Sequence, residues 1–113
     1  MGSLRRAVRM WTATTVANEE IGESIVLAVD EAVTNAVEHA YRTLTGDVLV
    51  VAVTRGDGAA VMIQDYGAWL TPAANPGFRG RGLELMRTLA DRCSLTRSRK
   101  GTIARMCWRT PAT

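Results

Sequence analysis

A chain of 113 residues with 47% apolar and 22% charged residues has the make-up of a globular protein, long enough for one core and too short for two. No apolar run approaches the roughly 18 residues of a membrane span, and no charged-then-apolar leader opens the chain, so the expectation is a cytoplasmic protein without a membrane partner. The net charge of +3 comes from scattered arginines, which does not imply nucleic acid but suits a protein that handles a polyphosphate or docks an acidic partner.

Met1-Gly2-Ser3 has the form of an expression scar, in which case the natural chain is longer at this end. A short helix should follow, with Ser3 as its cap and Leu4, Val8 and Trp11 on one face, and the threonine-rich stretch 12–17 should break it. Asn18 has the chemistry of an N-cap, and Glu19 and Glu20 in the first turn complement the dipole of a long helix running to about Arg42. Ile21, Ile25, Ala28, Val29, Ala32, Val33, Ala36, Val37, Ala40 and Tyr41 repeat at three and four residues, which places a buried stripe along that helix. Glu31, Asn35 and His39 stand four apart beside the stripe; each such step turns only about 40° around the axis, so the three side chains line up.

Beyond Gly46, the β-branched runs 47–54 and 59–64 flank Arg55-Gly56-Asp57-Gly58, the turn chemistry of an antiparallel hairpin. Asp65-Tyr66-Gly67 closes the second strand, and a long stretch broken by Pro72, Pro76, Gly77, Gly80 and Gly82 follows, of the kind that is usually functional or disordered. Helical spacing resumes with Leu83, Met86, Leu89 and Ala90, and a second hairpin spans 94–109 around Lys100-Gly101. Cys93 and Cys107 lie in apolar segments and read as buried free thiols, and a single histidine argues against zinc. The order helix, helix, hairpin, loop, helix, hairpin predicts one α/β (α+β) two-layer sandwich over 1–113, its sheet mostly antiparallel and its helices on one face.

Three short motifs accompany the helix. Gly80-Arg81-Gly82-Leu83 precedes a helix, where backbone amides and the dipole favour phosphate, with Arg79 and Arg81 able to neutralise charge; a flexible loop entering a helix has the same composition. Asp65 could accept a hydrogen bond from an exocyclic amine such as adenine's, and Gly67 would let a flat base approach; Asp-x-Gly is also ordinary turn chemistry. Thr102, taken alone, is a hairpin threonine.

In this order and at these separations, Glu31-x-x-x-Asn35-x-x-x-His39, Asp65-Tyr66-Gly67, Gly80-Arg81-Gly82-Leu83 and Lys100-Gly101-Thr102 resemble the N, G1, G2 and G3 boxes of the GHKL ATPases. Residues 30–41, Asp-Glu-Ala-Val-Thr-Asn-Ala-Val-Glu-His-Ala-Tyr, are similar to bacterial anti-sigma serine kinases of the RsbW and SpoIIAB type. The resemblance covers roughly residues 25–109, and its first box is the most specific. It implies the Bergerat fold, an ATP site closed by the loop from about Tyr66 to Arg81, phosphorylation of a serine on an anti-anti-sigma partner of STAS type, and sequestration of a sigma factor. In that family's terms Glu31 is the catalytic base and Asn35 gives its oxygen to Mg²⁺. Asp65 takes the adenine amine and Gly67 the base edge. Gly80, Arg81 and Gly82 hold phosphates, and Thr102 gives a supporting contact near the base. His39 falls deeper toward the apolar stripe, as a packing residue.

One departure stands at the front. The family usually begins with a strand before its first helix and commonly forms homodimers, whereas this chain starts almost at the helix; a trimmed chain, an excised domain and a differently built sheet edge all account for that. Two other functions share the motifs. One is a non-catalytic nucleotide-binding anti-sigma switch that works by partner exchange. The other is the ATP-binding half of a histidine kinase, which needs a helical domain bearing a phospho-accepting histidine that nothing before residue 18 supplies.

Overall fold

The computed structural model describes residues 2–36, 48–66, 84–98 and 101–110. Two helices, α1 (Gly2–Thr15) and α2 (Glu19–Asn35), precede the strands β1 (Val48–Arg55) and β2 (Gly58–Asp65); a short helix α3 (84–89) then leads into β3 (Arg92–Ser98) and β4 (Gly101–Arg109). The strands form one sheet in the order β1-β2-β4-β3, and all three pairings among the described residues are antiparallel. Helices cover one face of it, giving the expected α+β two-layer sandwich.

The first helix ends within the expected threonine-rich stretch, but not at its first residues. It continues to Thr15, and Ser3 lies inside it rather than capping it. Threonine hydroxyls that could compete with the helix instead donate back to its carbonyls, Thr12 to Arg9 at 3.0 Å and Thr14 to Trp11 at 3.1 Å, which spends their polarity without unwinding the turn. Thr12 is buried beside Val8, and a chain reversal at Val16 brings α2 back antiparallel to α1. Arg5 pairs with Asp30, and Arg9 with Glu23 at 2.8 Å, across the two helices; both bridges are partly or fully exposed and add little stability.

Asn18 caps α2, its side-chain oxygen accepting the Ile21 N–H at 3.0 Å while its own backbone stays extended. The expected stripe is buried: Ile25 and Ala28 are fully enclosed, and Val29, Ala32, Val33 and Ala36 nearly so. Val26 joins them because α1 covers a second side of the helix that one-stripe periodicity does not anticipate. Ala36 still has helical backbone angles, and the expected continuation to Arg42, with His39 on it, lies outside the described residues.

Alternation places Ala59, Val61, Ile63 and Asp65 of β2 on the helix side, facing inward beside Thr102, Ala104, Met106 and Trp108 of β4. The first hairpin turns at Gly56-Asp57, where Gly56 takes φ +59° and Asp57 does not, the II′ pattern that matches strand twist. Cys93 is half-buried on the inner face and Cys107 is exposed on the outer one, so both thiols are free but only one is even partly covered. The period-two pleat decides this, since Cys107 pairs with Ala60 and Arg92 on the solvent side.

Candidate functional site

Strand register brings together residues far apart in the chain. Asp65 ends β2 and is flanked by Val48 on one side and by Thr102, the second residue of β4, on the other. The next row inward is Ile63 between Val50 and Ala104, with Leu95 beyond Ala104. Over these two rows stands the last described turn of α2, which presents Ala32, Asn35 and Ala36, and a small, partly open hollow of about 10 Å³, room for about one water, lies between. Its polar lining is Asn35, Asp65 and Thr102, each no more than 5% exposed. Ile63, Met86, Leu95 and Ala104 make its apolar walls.

The third helix supplies one wall by a clamp at its end. Trp108, itself buried, donates its indole N–H to the Leu89 carbonyl at 2.8 Å, and the Asp91 carboxylate accepts the Arg109 N–H at 2.6 Å while the Asp91 N–H reaches the Cys107 carbonyl. These bonds tie the α3–β3 junction to the far end of β4. Met86 is thereby held at 1% exposure against the hollow.

Three of the expected site residues, Asn35, Asp65 and Thr102, thus line one cavity. Asn35 breaks the local rule for a buried helix stripe, since a carboxamide favours neither the helix interior nor an apolar neighbourhood. Neither its side chain nor the Thr102 hydroxyl hydrogen-bonds to another described residue, while Asp65 does have a polar partner. Glu31 sits one turn earlier, half-buried and outside the lining of the hollow. Gly67, Gly80, Arg81 and Gly82, and with them the loop expected to close the site, lie outside the described residues. Among those that are described, no group of three or more His, Cys, Asp or Glu side chains could hold a metal, and no helix is long and apolar enough to cross a membrane.

Sequence reasoning missed the apolar walls, and it named Gly101 within the Lys100-Gly101-Thr102 motif without giving it a role. The apolar walls Ile63, Leu95 and Ala104 give no signal beyond strand alternation, since their role depends on which strands are neighbours. Gly101 reads as a turn residue, yet it is the first residue of β4, with φ +135° and its Cα packed against the Asp65-Tyr66 peptide. A glycine directly before a buried polar strand residue is the one trace of this in the chain.

The arrangement brings a carboxylate, a hydroxyl and a carboxamide together among apolar side chains at one small hollow. The chain is similar to the crystal structure of the RsbU and RsbW domains of Rv1364c from Mycobacterium tuberculosis, at 28% identity and a TM-score of 0.75, over 95% of this chain and 28% of that one. The model of the histidine kinase-like ATPase domain matches residues 1–108, and the chain belongs to that family.

Proposed function

We propose that the protein is an ATP-dependent serine kinase that phosphorylates an anti-anti-sigma partner of STAS type and sequesters a sigma factor, acting in the cytoplasm as a single domain, on its own or within a longer chain. The observation that supports this reading above the others is Asn35: a buried carboxamide in the hollow with no hydrogen bond to a described residue, one helical turn after a carboxylate. An oxygen so placed suits Mg²⁺, which takes hard oxygen ligands and completes its octahedron with phosphates and water.

On this reading Asp65 holds the exocyclic amine of adenine, and Thr102 supports it from the neighbouring strand. Gly67 lies along the base edge, and Gly80, Arg81 and Gly82 hold the phosphates. Asn35 orients the phosphates through the cation. Glu31 accepts the proton of the serine hydroxyl as its oxygen attacks the terminal phosphate and ADP leaves; its half-buried position one turn before Asn35 leaves it accessible to a second protein. Mg-ATP supplies the transferable phosphoryl group and the charge neutralisation that goes with it.

Incubation with Mg-ATP and a cognate STAS protein should give phosphoserine, and Glu31→Ala should abolish it while nucleotide affinity stays within a few-fold of wild type. A Glu31→Ala protein that phosphorylates normally would remove the base from the scheme. A second reading, a nucleotide-holding anti-sigma switch without catalysis, is favoured by one observation, that Glu31 does not line the hollow. It is the outcome if Mg-ATP binds in a calorimeter and releases a captured sigma factor without any phosphoserine appearing.

A further inference from the structure

Among the described residues two glycines take positive φ, one in the first hairpin turn and one at the start of β4, and they do so for different reasons. Gly56 at +59° stands in open space, so a side chain there would meet no neighbour within 4 Å and only the backbone conformation resists it. Gly101 at +135° is crowded as well: a Cβ there would overlap the Asp65 carbonyl oxygen and come within 2.8 Å of the Asp65 carbonyl carbon and of the Tyr66 Cα. The register explains the crowding. Thr102 pairs with Asp65, so Gly101 lies one step past the last pair between β2 and β4, against the peptide by which the chain leaves Asp65.

We propose that Gly101 is a positioning residue that fixes the Asp65 carboxylate beside Thr102 and thereby sets selectivity for an amine-bearing purine. The inference rests on the reading above that Asp65 takes the adenine amine. Any side chain at 101 must push the Asp65-Tyr66 peptide off β4. Asp65 cannot follow freely, because Val48 holds it from the other strand, so the shift is taken up at the strand end that carries the carboxylate. A hydrogen bond weakens steeply once its distance and angle leave a narrow range, and the amine contact is the first to feel the change.

The test compares ATP with inosine triphosphate, whose hypoxanthine carries a carbonyl where adenine carries the amine. Affinities for both are measured calorimetrically on wild type, Gly101→Ala and Gly56→Ala, with thermal melts alongside. Wild type should prefer ATP by on the order of tenfold to a hundredfold, the range of one charge-assisted hydrogen bond. Gly56→Ala should melt earlier and keep that ratio, which shows that loss of stability alone does not alter selectivity. Gly101→Ala should bring the two nucleotides to within about threefold of each other. A wild-type preference that persists in Gly101→Ala overturns the inference and leaves the Asp65 reading standing; no preference in wild type refutes the Asp65 reading itself. If Gly101→Ala does not fold, Asp65→Glu displaces the carboxylate by one methylene with Gly101 intact: loss of the preference supports a position-tuned contact, and its survival overturns it.

Discussion

Asn35→Leu should stabilise the protein while removing its response to nucleotide. Leucine has nearly the shape of asparagine, so the substitution exchanges a buried carboxamide, with no hydrogen bond to a described residue, for an apolar group facing Ala32, Ile63 and Met86. An unsatisfied buried polar group costs about 1–3 kcal/mol, and asparagine in a helix costs a few tenths more than leucine. Because the hollow opens to solvent, water recovers part of the first amount, and the net gain is about 1–2 kcal/mol. For 113 residues at roughly 2.1 cal/mol/K each, the unfolding entropy is about 0.24 kcal/mol/K, so the midpoint should rise by about 4–8 °C. Scanning calorimetry without and with Mg-ATP separates the two effects. At about a hundred times its dissociation constant a ligand adds about 2.7 kcal/mol to wild type, near 11 °C on the same scale, and the variant should gain almost nothing. A variant that melts below wild type in the absence of nucleotide would show that the carboxamide holds the fold together, and the reasoning from its isolation would fail.

Gly22 lies inside α2 with ordinary backbone angles, and a Cβ there would make van der Waals contact with the Thr12 Cβ at 3.5 Å; Gly22→Ala should therefore add about 0.5–1 kcal/mol and raise the chemical-denaturation midpoint without altering nucleotide affinity. Burial pushes the Cys93 thiol above its ordinary 9.0, with Arg87 pulling weakly the other way. The unfolded chain therefore releases this proton first. The associated stability is intact below 9.0 and is lost as pH rises through the folded value, so urea midpoints should fall more steeply above pH 9.0 in wild type than in Cys93→Ala. Iodoacetamide followed by mass spectrometry should label exposed Cys107 before Cys93.

Much of this architecture was legible because each signal was local. The Asn18 cap, the stripe from Ile25 to Ala36 and the turn at Gly56 follow from chemistry within a few residues, and all three stand where expected. Thr12 to Thr15 marked the end of the first helix only to within a turn, because a threonine hydroxyl can either leave a helix or bond back into it, and tertiary packing under Val8 and Thr12 decides between the two. Burial of Cys107 was wrong for a similar reason: apolar composition marks a strand but not which face of it is covered. At the site, Asn35, Asp65 and Thr102 could be named from their motifs, but that Asp65 and Thr102 are cross-strand neighbours depends on a pairing between residues 58–65 and 102–109 that no local pattern encodes.

Ala32, Ala36 and Ala104 surround the hollow with methyl groups where most cores carry larger side chains. The hollow is thus an omission in the packing rather than a structure of its own, and ordinary one-step substitutions to valine at these places would fill it while keeping helix and sheet. Copies of this domain that had surrendered their ligand would be expected to differ first in bulk at those alanines, with every polar residue still in place, so that loss of binding would be read from volume before it was read from chemistry.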